Sequence, residues 1–300
     1  MKKFLSFVVV TLMILSLFTG CGKNENPDGE ETKTIGLAIS TLNNPFFVDL
    51  EAGAKAKAQE LGVSLVTLDS QDDSATEMSN VEDLINQGVD IIMINPTDSD
   101  AVKSAVEAAN NANIPVITLD RGANGGEVVS HIASDNVAGG RLAGEYIVEL
   151  LGGNGKVVEL EGIPGASAAR DRGQGFNEAI SETDIEVVAK QTANFDRAEG
   201  LTVMENILQA QTEINAVFAH NDEMALGAIE AIKASKRDIL VVGFDATDDA
   251  KAAVESGEMA ATVEQLPKEI GSLGVETAVK ILNGEQVESM IPVDLQLVKK

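Results

Sequence analysis

Six stretches of this 300-residue chain set Asn, Asp, Arg or Phe where an apolar run gives way to a polar turn. They are Asn43-Asn44-Pro45-Phe46-Phe47, Asn95, Asp120-Arg121, Phe195-Asp196, Asn221-Asp222 and Phe244-Asp245. Only six phenylalanines lie beyond residue 20, and four of them fall in these stretches. Core Phe is expected on strand or helix faces instead, as Phe176 and Phe218 are. A flat apolar ring beside amides, carboxylates and a guanidinium suits a partner with apolar faces and a rim of hydroxyls. A sugar has that form: its C–H faces lie against Phe, and each hydroxyl both donates and accepts. Asp accepts from hydroxyls, Arg donates to them and Asn does both. Leaving one of these groups unpaired in a closed site costs about 1–3 kcal/mol, which is a source of specificity. Asp120 and Asp245, set against Arg121 and one further arginine, balance charge locally and favour a neutral polyol over a phosphate or an amine. The competing explanation for each Asp or Asn is a helix N-cap. Capping accounts for any one of them, less well for six on one side of a sheet.

The elements that must carry these residues follow from periodicity. From Thr34, short β-branched runs (TIGLAIS, VSLVTLD, VDIIMIN, PVITLD) alternate with longer segments of helical period. A second series begins after SHIASDN, with KVVELEG, IEVVAKQ, AVFAHND and ILVVGFD as its strands. Beyond Ala260 the chain reads as a short strand, a helix (KEIGSLGVETAVKILNG) and one closing strand, MIPVDLQLV. Alternation of this kind predicts βαβ units and parallel sheets covered by helices. In such sheets ligands bind beyond the carboxyl ends of the strands, where the six stretches fall. The two series echo each other: IMINPTDSDAVKSAVEA matches AVFAHNDEMALGAIEA, and in each the next strand ends in Asp, at Asp120 and Asp245. The expected fold class is therefore α/β, with two similar doubly wound parallel-sheet domains.

The rest of the chain excludes several functions. A net charge of −26, more acidic still once Lys2 and Lys3 are removed, argues against nucleic acid, whose binding needs basic side chains. GxGxxG, GxxxxGK[ST] and GxSxG are absent; GGNGKV, residues 152–157, lacks phosphate-loop spacing and reads as a turn. His131 and His220 have no metal-ligand spacing and read as packing or surface residues. No cofactor and no metal are expected. Residues 1–20 have the two lysines, apolar run and small residues of a secretory signal peptide, and the run from Phe4 to Phe18 is shorter than the roughly 20 residues of a spanning helix. Thr19-Gly20-Cys21 resembles a bacterial lipobox, which marks Cys21, the only cysteine, for lipidation. Residues 21–33 then form a flexible tether, and the membrane is reached only through the lipid anchor.

STLNNPFF, LDSQ, INPTDSDAV, ANIPVITLDR, GEVVSHIASDN, SAARDRG, NDEMALGA, VVGFD, QLP and GVETA run through nearly all of residues 34 to 298. With them the chain resembles the ribose-binding members of the type I periplasmic binding protein family, which serve bacterial ABC importers. The resemblance implies that Asn44, Asn95, Asp120, Arg121, Arg172, Asn221, Asp245 and Gln265 hydrogen-bond the sugar, with Phe46, Phe47, Phe195 and Phe244 flanking its ring. It selects Arg172 over Arg170 and adds Gln265, neither of which the residues alone had singled out. It further implies a three-segment hinge near Ser134-Asp135, Gln265 and Asp294. One lobe is then residues 34–134 plus 266–294, the other 135–265 plus 295–300, and hinge closure buries the ligand. D-ribose or a similar neutral monosaccharide and the subunits of an ABC permease are the implied partners of a monomer outside the cell membrane. Whether a chemoreceptor also reads the closed form is left open. Ala246 departs from the glycine common after the GFD motif. Three rivals stand beside this reading. The same fold could take another pentose, a hexose or a signalling furanose. A sugar-processing enzyme could use Asp120 or Asp245 as a base, but no positioned nucleophile is visible. A related repressor would need a DNA-binding headpiece where the signal sits.

Overall fold

The computed structural model describes residues 32–300; the signal segment, Cys21 and the tether up to residue 31 lie outside the described residues. The first series of elements is β1 (Thr34–Ile39), α1 (Pro45–Leu61), β2 (Ser64–Asp69), α2 (Ser74–Gln87), β3 (Ile91–Ile94), α3 (Lys103–Asn111), β4 (Val116–Leu119) and β5 (Ser130–Ser134). The second is α4 (Asn136–Leu151), β6 (Asn154–Glu161), α5 (Ser167–Ile180), β7 (Asp184–Thr192), α6 (Arg197–Ala210), β8 (Ala216–Ala219), α7 (Asp222–Ser235), β9 (Leu240–Asp245), α8 (Asp248–Ser256) and β10 (Ala261–Glu264). The chain closes with α9 (Pro267–Leu282), β11 (Met290–Val293) and β12 (Gln296–Lys299).

These strands form two six-stranded sheets of the same plan, in the orders β11-β5-β4-β3-β1-β2 and β12-β10-β9-β8-β6-β7. All pairings are parallel except that of β10 with β12. Two α/β domains result, each with its sheet buried on both faces. In the first, Ile35, Leu37 and Ile39 pack against Leu50 of α1 and Ile270 of α9. Ala38, Ile92 and Ile94 pack on the other side against Val81 and Leu84 of α2 and Val106 of α3. Strands covered twice explain why the sequence shows continuous apolar runs rather than alternation.

Helix ends follow local chemistry. Asn44 Oδ1 accepts from Phe46 N at 3.0 Å, Pro45 takes the first helical position, and Gly62 ends α1 at φ +69°. The pairing of α1 with α9 depends on Gly53 and Gly271: a Cβ on either would lie within 2.1 Å of the facing helix's backbone oxygen.

One stretch left unassigned becomes a strand, and one local reading changes. SHIAS, broken up by two serines and a histidine, is the strand β5, paired on both sides. The stretch MIPVDLQLV, read as one closing strand, is two, β11 beside β5 and β12 beside β10, because the chain leaves one sheet for the other between Val293 and Gln296. Between β5 and α4, between β10 and α9, and between β11 and β12 the chain passes from one domain to the other.

Candidate ligand-binding site

The carboxyl ends of both sheets meet around a narrow cavity. It is lined by Asn44, Phe46, Phe47, Asp120, Arg121, Ala168, Arg172, Phe195, Asn221, Asp245 and Gln265. An open cleft abuts it, sharing Phe46, Asp245 and Gln265. Several of that cleft's charges are already paired, Lys251 with Glu264 at 2.6 Å and Lys268 with Asp49 at 3.1 Å, so the unmet chemistry lies in the inner cavity.

Ten of the twelve residues expected at the site line this cavity. The other two stand one layer behind. Asn95 Oδ1 accepts from Ser40 Oγ at 2.6 Å, while Asn95 Nδ2 donates to Leu119 O at 3.0 Å and reaches Asp120 Oδ2 at 3.5 Å. Phe244 is fully buried in the second core, its ring centroid 3.8 Å from Arg172 Cζ. Ala168 joins the wall without having been singled out; alanine in a helix's first turn carries no signal of its own. The capping explanation holds for Asn44 and Asn221, whose Oδ1 atoms accept from Phe46 N and Met224 N, both at 3.0 Å. Both still border the cavity, so capping and lining coexist. Asp120 and Asp245 cap no helix and hold φ of +62° and +117°, strained for non-glycine residues.

Phe46 and Phe47 meet edge to face at 5.1 Å and 89°, giving one apolar wall. Phe195 faces them, with Arg121 Cζ 5.1 Å and Arg172 Cζ 5.9 Å from its ring. Arg172 is fixed by donating from Nη1 to His220 O at 2.6 Å and from Nε to Asn136 Oδ1 at 2.8 Å. His220 is itself buried, 3.0 Å from Glu159 Oε1. Gln265 Nε2 donates to Asp245 Oδ1 at 2.9 Å.

The polar rim is incompletely satisfied. Asp120 Oδ1, Arg121 Nε and Gln265 Oε1 are buried without a hydrogen-bond partner. Burial raises the pKa of Asp120, with Arg121 and Arg172 pulling it back. Burial also raises Asp245 well above the ordinary carboxylate value, opposed chiefly by Arg172. Arg172 Nη1 lies 3.7 Å from Asp245 Oδ1, and Arg121 Nε 3.7 Å from Asp120 Oδ2, so two acids face two bases in a desolvated space.

Comparison with known proteins matches residues 35–286 to a periplasmic binding protein domain. The chain belongs to that family. It is 58% identical to the ribose import binding protein RbsB of Escherichia coli K12 over 268 residues, covering 89% of this chain and 90% of that one. It is 50% identical to the protein of the same name from Bacillus subtilis, covering 99% of each. Among solved structures, an ABC transporter solute binding protein of Bacillus halodurans with bound myo-inositol superposes with a TM-score of 0.86 at 37% identity, covering 90% of this chain and 96% of that one. The fold is thus the type I periplasmic binding fold, and these relatives bind and transport solutes rather than transform them. Family membership implies an extracytoplasmic location.

Proposed function

We propose that this protein captures D-ribose between its two domains and delivers it to an ABC importer. The observation that carries the reading is the set of unpartnered atoms around the cavity. Asp120 Oδ1 and Gln265 Oε1 call for hydroxyl donors and Arg121 Nε calls for an acceptor. A hydroxyl does both, and a ring of them edged by Phe46, Phe47 and Phe195 matches a monosaccharide of no net charge. Asn44, Arg172, Asn221 and Asp245 complete the proposed polar shell, with Asn95 and Phe244 acting through Asp120 and Arg172. Ribose is preferred because both of the curated relatives described above are ribose import binding proteins.

The three crossings between the sheets serve in this reading as the hinge, dividing the lobes as residues 34–134 plus 266–294 and 135–265 plus 295–300. Closure over the sugar is what the permease would recognise. Lipidation of Cys21 would tether a monomer to the outer face of the membrane, and mass spectrometry of the mature N-terminus tests that step.

Calorimetric titration with D-ribose is expected to give one site with Kd about micromolar or tighter, about −8 kcal/mol or stronger. Absence of heat with ribose, alongside binding of another sugar, overturns the choice of ligand. The myo-inositol in the Bacillus halodurans structure favours one second reading, a different cyclic polyol in the same cavity.

A further inference from the structure

Asp222, the first residue of α7, is fully buried yet lies outside the cavity wall. Capping does not require it, because Asn221 already accepts from Met224 N. Its two oxygens turn instead toward the segment that follows Asp245. Asp222 Oδ2 accepts from Thr247 N at 2.8 Å, and Asp222 Oδ1 accepts from Thr262 Oγ1 at 2.7 Å. Thr262 Oγ1 in turn accepts from Ala246 N at 3.1 Å. The two amides after Asp245 are therefore anchored on one carboxylate, one directly and one through a hydroxyl.

The anchored backbone is strained, with Asp245 at φ +117° and Ala246 at φ +56°. Non-glycine residues persist there only where their surroundings over-determine them. Space for the anchor comes from Gly243, where a Cβ would stand 2.4 Å from Asp222 Oδ1. Burying a carboxylate is costly: burial pushes Asp222 up to about 7, against the pull of Thr262 and Thr247.

We infer that Asp222 is a positioning residue, which holds residues 246 and 247 so that the Asp245 carboxylate is aimed at the cavity. The affinity arm of its test rests on the sugar-binding reading; the exchange arm does not.

Asp222→Asn keeps the size of the side chain but replaces one acceptor oxygen with a donor. In the sugar-free protein, the amides of Ala246 and Thr247 are expected to exchange with deuterium at least tenfold faster in Asp222→Asn than in wild type; unchanged rates overturn the inference. Titration with D-ribose is expected to show at least a tenfold weaker Kd for Asp222→Asn, and less than a twofold further loss when it is added to Asp245→Asn. Equal losses in both backgrounds mean that Asp222 acts independently of Asp245, which also overturns it. Wild type failing to bind ribose would defeat the choice of sugar alone, leaving the exchange result to decide this inference. Should Asp222→Asn lose its far-UV circular dichroism, Thr262→Val, which cuts only the branch to Ala246, replaces it: faster exchange at Ala246 supports the inference, and unchanged exchange overturns it.

Discussion

Gln265 Nε2 donates to Asp245 Oδ1 at 2.9 Å, joining a residue on the crossing from β10 to α9 to the carboxylate at the end of β9. One hydrogen bond thus links a connection between the domains to the cavity wall. Gln265→Ala removes that donor and the unpartnered Oε1 together, leaving Arg172 at 3.7 Å as the named partner of Asp245 Oδ1. Loss of one such bond costs about 1–3 kcal/mol, so ribose affinity measured by calorimetry should fall roughly 5- to 150-fold. Undiminished affinity would take Gln265 out of the site.

Asp120 separates binding from folding. Its carboxyl is buried with one oxygen unpartnered and its pKa raised by desolvation, so the sugar-free fold gains little from it. Hydrogen bonds to a charged group contribute about 1.5–3 kcal/mol. Asp120→Ala is therefore expected to weaken ribose binding roughly 10- to 150-fold, with a melting temperature in sugar-free buffer no lower than that of wild type.

A carboxyl outside the site contributes to the pH dependence of stability. Glu77 on α2 is fully buried, and its Oε1 accepts from Thr97 N at 2.9 Å. Burial pushes its pKa from 4.5 to about 7, against the pull of Thr97 and Arg121. Because the folded state holds this proton more tightly than the unfolded chain, the stability that protonation contributes is fully present below about 4.5 and lost as pH rises through about 7. The total is on the order of 3 kcal/mol. Glu77→Gln carries no titrating proton, so urea unfolding should show the variant gaining on wild type between pH 5 and pH 8. A difference that stays constant across that range would dismiss the assignment.

Much of this was legible because two rules act locally. Strands buried twice give continuous apolar runs, and parallel sheets gather function at their carboxyl ends, so Asp120 and Asp245 stood out by position alone. Depth did not stand out. Asn95 and Phe244 have the right types at the right ends, yet a layer of side chains separates them from the cavity, and residue type does not encode that layer. Arg170 and Arg172 illustrate a second limit. Two residues apart on α5, they point about 200° apart around the helix axis. Arg172 is buried at the cavity, while Arg170 is exposed and donates to Gly165 O at 2.8 Å. Choosing between them requires knowing which helix face meets the other domain. Ala246 shows its cost only in the structure: at φ +56° it occupies the left-handed region, which glycine adopts more readily than alanine.

The cavity's internal balance of charge has a consequence for its environment. The chain carries a net charge of −26, but Asp120 and Asp245 meet Arg121 and Arg172 as buried side chains. Mobile ions screen exposed charges over about 8–10 Å at physiological strength and reach buried pairs far less. An uncharged sugar displaces no counterions on entry. Capture should therefore proceed alike in dilute and in briny surroundings, a property suited to a protein that works outside the cell's buffered interior.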